Sequence, residues 1–302
     1  MKNVNVRLPA LNAFVELAIL ALIFPLTTVT FAQKPDWQSL EKIFGRKGAV
    51  QGEVFKVTFP RSDLKVKVGE VTIEPGLALT SWIAFKGMGN SPMMMGDLVL
   101  LDSEVGPVMN KLVADSVEVT SLHNHILGES PRIMYMHFSG HGNTIKLAET
   151  LKSALKLTST PFTLPVQQQS SNTFDWTKVE SILGRTGQHK GNVLQLSIPR
   201  AETFTENGMT IPASMGVATA INFQKVGEKA VTTGDFVLLA SEVNPVVKAL
   251  TEQSIAVTAI HSHMLFESPR LFFLHFWGFD VAERLATGLK GALEKTHTAV
   301  VK

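Results

Sequence analysis

The chain has 302 residues, is 45% hydrophobic and contains no cysteine, which excludes disulfides, thiolate metal sites and a lipid-modified N-terminal thiol. Its 28 basic and 26 acidic side chains leave a formal charge of +2. With no basic cluster, that balance argues against nucleic acid as a partner.

Taken in chain order, residues 1–32 read as a signal peptide. Lys2 and Arg7 form a basic start, Leu17–Val29 is almost wholly apolar, and Thr30-Phe31-Ala32 ends in a small residue suited to cleavage. The apolar run is shorter than the roughly 20 residues a spanning helix needs, and Glu16 sits at its edge. No later stretch is long and apolar enough to span a membrane. The expectation is a periplasmic or secreted protein whose mature chain has no transmembrane segment and is held by its core alone.

The rest of the chain repeats itself. Gly96–Gly140 and Gly234–Gly278 align without a gap at an offset of 138, and 24 of 45 positions agree. The match continues outward: Gly52 answers Gly191, and Pro60-Arg61 answers Pro199-Arg200. This divides the mature chain into a first repeat domain (33–158), a Ser/Thr/Pro/Gln-rich linker (159–173) and a second repeat domain (174–302).

Each repeat reads alike. Val54–Phe59 and Val193–Ile198 are short apolar runs stopped by Pro-Arg, hence strands. Leu77–Phe85 and Val217–Phe223 form a second strand. Asp97–Leu101 and Asp235–Leu239 form a third, too continuous in Val and Leu to be an exposed edge. Asp97 and Asp235, each after a glycine, are expected to shape a turn. Glu104 and Glu242 are expected to serve the start of the helix that follows. Asn244 suits its N-cap and Pro245 its first turn. Val117–Leu127 reads as a strand with Val117, Val119, Ser121, His123 and His125 on one face. Ile133–Phe138 is its hairpin partner. Thr144–Leu157 and Val281–Glu294, the latter with Asp280 as cap, are amphipathic closing helices. The order β-β-β-α-β-β-α predicts an α+β fold: two homologous domains from a tandem duplication, each a mixed or antiparallel sheet with two helices.

The pattern GD-x-VLL, EV-x-P-V, L-H-x-H-x-L, E-S-P-R and H-F, present once in each half, resembles the LpqO/LppY family, a domain of unknown function (1259) named after mycobacterial lipoproteins. The resemblance implies an exported, often envelope-associated protein and no particular reaction. The lack of a cysteine for lipidation departs from the lipoprotein members.

His123 and His125 are two apart on a strand, so their imidazoles share a face and can place two nitrogens on one metal. Two hairpin registers compete for the third ligand. With a loop over Gly128–Arg132, His123 faces His137 and His125 faces Tyr135. With a tight turn at Ile126–Gly128, Glu129 faces His125, which is also the spacing of the first cupin metal motif. The first is preferred, because Pro131 belongs in a loop and the helices argue against an all-β cupin. The candidate metal ligands are therefore His123, His125 and His137, with His261, His263 and His275 in the second repeat. Neutral imidazoles without thiolates suit a divalent Zn, Cu, Ni or Fe ion. Three ligands leave a position open for water and hence for hydrolysis. The competing reading is a set of structural hydrogen-bonding histidines in a non-catalytic envelope module that binds a partner protein. Glu129 with Arg132, and Glu267 with Arg270, are candidate contacts to a small anionic ligand, against a local turn in which the Arg pairs with its own Glu. Ser130 and Ser268 lack a nucleophile-elbow pattern. Met93–Met95 with Met88 could suggest copper, but Val231, Thr232 and Thr233 replace the three in the second repeat, so strand packing is the expectation. No P-loop, dinucleotide glycine fingerprint or His-Glu-x-x-His occurs. Catalytic residues are not assigned.

Overall fold

Three helices, not two, accompany the sheet of each repeat in the computed structural model, which describes Met1 and residues 36–87, 92–163 and 174–299. The expected leader beyond Met1, most of the linker and Met88 lie outside the described residues. The additional helix comes first. In α1 (Trp37–Phe44) the Asp36 side chain caps Ser39 N, Leu40 and Phe44 are buried, and Gly45 ends the helix at a φ of 69°, which favours glycine.

After α1 come β1 (Ala49–Gln51), β2 (Val54–Pro60), a small hairpin of β3 (Lys67–Val68) and β4 (Val71–Thr72), then β5 (Thr80–Lys86) and β6 (Met93–Leu101). Helix α2 (Asp102–Ala114) leads to β7 (Glu118–His123), β8 (Glu129–Ser130), β9 (Ile133–His141) and the closing α3 (Thr144–Leu155). The second repeat follows the same plan: α4 (Thr177–Leu183), β10 (Gln188–Lys190), β11 (Val193–Pro199), β12 (Phe204–Glu206), β13 (Met209–Ile211), β14 (Ala218–Val226), β15 (Lys229–Leu238), α5 (Val243–Thr251), β16 (Ala256–His261), β17 (Glu267–Ser268), β18 (Phe272–Asp280) and α6 (Ala282–Leu293). The main sheets have the order β1-β2-β5-β6-β9-β7 and β10-β11-β14-β15-β18-β16, and every pairing is antiparallel. The expected α+β duplication is present, with antiparallel rather than mixed sheets.

Two expected caps differ. A short 3-10 turn at Ala240–Glu242 starts the helical segment early, so Asn244 and Pro245 fall inside the first turn of α5. Asp280 is the last residue of β18, and Val281 is the N-cap of α6.

Strand alternation gives each sheet two apolar faces. In the first repeat Phe55, Val57, Met94, Leu98, Met136 and Phe138 pack under the helices. The opposite face carries Met93, Met95, Val99 and Tyr135, and these join cores built from both repeats. Met93 and Met95 pack there with Phe204, Met215, Val237 and Phe273, while Val99 and Tyr135 pack with Val231. The repeats therefore lie sheet against sheet inside one unit spanning Gln33–Lys302.

Paired hydrogen bonds tie the repeats with near two-fold symmetry. Thr120 Oγ1 donates to the carbonyl of His263, and Thr258 Oγ1 donates to the carbonyl of His125, both at 2.6 Å. Lys56 Nζ reaches Ser214 O, and Gln195 Nε2 reaches Gly76 O, at matching positions of the duplication. Among the described residues, no helix is long and apolar enough to cross a membrane.

Candidate metal centre

The six histidines of the duplicated motif meet in one cluster between the repeats. The hairpin sets part of this arrangement, in a register that neither expectation gave. His123 lies opposite Tyr135, and Ser121 lies opposite His137, because the β7–β9 pairing shifts between Val119 and Ser121. The same irregularity falls between Val257 and Ala259 in β16. An extra residue on one strand displaces its register and bends it locally. β7 ends at His123, so His125 sits in the following turn rather than on the strand.

His123 and His261, equivalent residues, meet across the interface with ring centroids 3.6 Å apart and planes tilted by 31°. His137 stacks on His263 at 3.6 Å, and the equivalent pair, His275 on His125, stacks at 3.8 Å. Each repeat thus places its β9 or β18 histidine against the turn histidine of the other. His125 also lies on Tyr135, and His263 on Phe273.

His275 Nδ1 donates to Gly234 O at 2.9 Å, which leaves Nε2 with a lone pair, and that atom lies 3.3 Å from His123 Nε2. His123 Nδ1 is 3.2 Å from Ser121 Oγ, and His261 Nδ1 is 3.2 Å from Ser262 O. One ring nitrogen from each of His123, His261, His263 and His275 lies within 4.8 Å of the other three; the same holds for His123, His125 and His137. These groups could hold a metal ion.

Asp97 and Asp235 belong to the cluster. They stand mid-strand in β6 and β15 instead of shaping a turn, paired in register with His137 and His275. Asp235 lies 3.8 Å from the Nδ1 atoms of both His263 and His275, and Asp97 lies 3.9 Å from His137 Nε2. Their signal in the sequence is an acid ahead of the same apolar run in both copies, Leu98–Leu101 and Phe236–Leu239, and each pairs in register with a histidine of the neighbouring strand.

Burial fixes the charge states. It pushes His125, His137 and His263 well below the usual imidazole range, as it does His123, and neighbouring imidazoles add to the effect. It lowers His261 to about 4 and His275 to about 3. Burial raises Asp97 to about 7 against the pull of Lys56, and holds Asp235 well above the carboxylate range with Asp97 adding repulsion. The imidazoles are therefore neutral and available as ligands near neutral pH.

Eight buried side-chain nitrogens and oxygens among the described residues lack a hydrogen-bond partner, and six of them are here: Nε2 of His125, His137, His261 and His263, and Oδ1 of Asp97 and Asp235. Such a concentration needs a partner from beyond these side chains, because isolated buried polar atoms are costly and rare. A crevice lined by Trp82, Met95, Met215 and Met264 reaches the cluster at His137 and His263.

The other sequence candidates stand apart. Glu129 accepts from Ile133 N and Asn124 Nδ2, while Arg132 is exposed and contacts Asn124. Glu267 accepts from Leu271 N and pairs with Arg270 at 3.2 Å, the local-turn arrangement. Ser130 and Ser268 are exposed and pair with the small hairpins. Glu104 and Glu242 accept from Leu101 N and Leu239 N at the helix starts, and each also holds a buried arginine.

With this geometry in place, comparison with known proteins gives a family and little more. The model of the family described as Domain of Unknown Function (DUF1259) matches residues 38–157 and again 177–295. The chain belongs to that family and carries its domain in two copies. No curated protein matches the chain. Among solved structures, a trimeric bacterial microcompartment shell protein, PduB, is similar at 12% identity over 82% of this chain and 89% of its own, with a TM-score of 0.20. An unknown protein from Galdieria sulphuraria is similar at 11% identity over 70% of this chain and 100% of its own, with a TM-score of 0.19.

Proposed function

We propose that this is an exported protein that binds a divalent transition metal at the histidine cluster between its repeats. The observation that carries the reading is the set of four unpartnered Nε2 atoms and two unpartnered carboxylate oxygens converging in one buried place. Among the Nε2 atoms, hydrogen bonding alone accounts for one contact. In the absence of an ion, His123 Nε2–H can donate to His275 Nε2, but the remaining nitrogens stay unmatched. Neutral nitrogen donors without thiolates favour Zn, Cu, Ni or Fe(II). Such an ion would supply Lewis acidity; held by the three-histidine group it would keep an open position for hydrolytic chemistry, and held by four imidazoles it would not. Export rests on the leader read over residues 1–32.

Elemental analysis of protein purified without chelator or affinity tag tests this reading. About one or more equivalents of a transition metal per chain is the expected result, with a mature chain beginning near Gln33. A folded protein that stays metal-free after reconstitution would instead make the histidines packing elements of a non-catalytic, partner-binding envelope module.

A further inference from the structure

The two donor groups are not equivalent, although the duplication that built them is. Both contain His123, but only one contains donors from both repeats. In that group three of the four Nδ1 atoms are held by a hydrogen-bond partner, His123 by Ser121 Oγ, His261 by Ser262 O and His275 by Gly234 O, and the fourth, on His263, faces Asp235 Oδ2 at 3.8 Å, beyond hydrogen-bond distance. Metal-bound histidines characteristically have the second ring nitrogen held this way, which fixes the tautomer and aims the free lone pair. Neither His125 nor His137 makes a ring hydrogen bond among the described residues, and His137 presents its Nε2 to Asp97 instead.

Resting on the metal-binding reading above, we infer that the cluster holds one ion per chain on four imidazoles, those of His123, His261, His263 and His275, and that this ion joins the two repeats. The 3.3 Å between His123 Nε2 and His275 Nε2 matches the separation of about 3.3 Å between two nitrogens bonded at about 2.0 Å to a tetrahedral ion. Asp235 lies 3.8 Å from the Nδ1 atoms of His263 and His275, directly behind two of the four donors. Four protein ligands fill a tetrahedral shell, as structural zinc sites do. The ion is then a clamp between repeats, and the reactive open position implied by a three-histidine site is absent. His125 and His137 take the stacking positions on the flanks.

The discriminating pair is His261→Ala against His125→Ala, since each residue belongs to one group only and both are partly exposed. Zinc is titrated into chelator-treated wild-type protein and each variant, with circular dichroism to show that each is folded. The expected result is one equivalent in the wild type and in His125→Ala, and at least a hundredfold weaker binding in His261→Ala. Cobalt in place of zinc should give the intense visible absorption of a tetrahedral site in the wild type. Two equivalents in the wild type, or loss in His125→Ala with retention in His261→Ala, would overturn the four-imidazole site while leaving metal binding intact. No binding to wild-type protein would overturn both. Should His261→Ala fail to fold, the cobalt spectrum decides, because a weak octahedral-type band contradicts four protein donors.

Discussion

Arg61 and Arg200 are buried as deeply as the histidines, yet the surroundings of the two kinds of cluster are opposite. Arg61 gives its N–H groups to Asp63, Glu104 and the carbonyl of Val99, and Arg200 does the same with Glu202, Glu242 and the carbonyl of Val237. Glu104 and Glu242 then accept backbone N–H groups at Ser159 and His297, so each arginine pins the end of its own repeat. Every guanidinium nitrogen has a partner, all of them inside one repeat. The histidine cluster draws on both repeats and leaves buried nitrogens and oxygens unmatched. A polar cluster with every group satisfied is explained by the fold it stabilises. One with converging orphans calls for something from outside. The grouping of Glu202, Glu242 and His297 as potential ligands falls on the arginine side of this contrast, since Arg200 already occupies both carboxylates.

The contrast fails or sharpens through four experiments. The largest effect is expected from Arg200→Ala, which strands Glu242 and Glu202 without their cation. Breaking a buried pair in this way costs about 3–5 kcal/mol, read as a fall in the urea midpoint, and metal content per folded chain should not change. Next is metal itself. Free zinc at a hundred times its dissociation constant should stabilise the wild type by about 2.7 kcal/mol, seen as a rise in melting temperature that His123→Ala abolishes, while Arg200→Ala keeps it.

The third is pH. For chelator-treated protein the site histidines have folded pKa values below the ordinary 6.5, about 4 for His261 and about 3 for His275. Between those values and 6.5 the unfolded chain binds more protons, so stability falls as pH drops through that window. Asp97, raised from 3.8 to about 7, binds its proton more readily when folded and so works in the opposite direction, as does Asp235. Six histidines against two aspartates leave a net loss on acidification below about pH 6.5, measured by urea melts across pH 4–7. A flat profile would contradict neutral buried imidazoles. The smallest effect is expected from Tyr135→Phe, which makes the first repeat resemble the second at Phe273. It removes the bond from the Tyr135 hydroxyl to Ala78 O, about 0.5–1.5 kcal/mol, and should leave metal affinity untouched.

The strands and closing helices were legible because their apolar periods are long and bounded by Pro-Arg, Glu-Ser-Pro-Arg and glycine. Helix α1 carries its own signals, Asp36 as cap and Gly45 as stop, but eight residues hold too few turns for the period to stand out. The hairpins β3–β4 and β12–β13 are shorter still. The histidines could be singled out because both copies keep them, yet where they meet was not legible. Strand register depended on an irregularity at Val119–Ser121 that no residue type announces. That the sites would merge had one trace: Met93, Met95 and Val99 make the second face of β6 apolar too, and a sheet with helices on one side only must cover that face with something. The covering layer is the other repeat, and with it come three histidines and Asp235.

The most direct test is anomalous diffraction at the zinc edge from crystals of the chain beginning at Gln33, reconstituted with one equivalent of zinc. The account predicts a single peak among His123, His261, His263 and His275, with Asp235 behind the ring nitrogens. A map without a peak there, with His123 Nε2 still hydrogen-bonded to His275 Nε2 in protein shown to be folded, would contradict it.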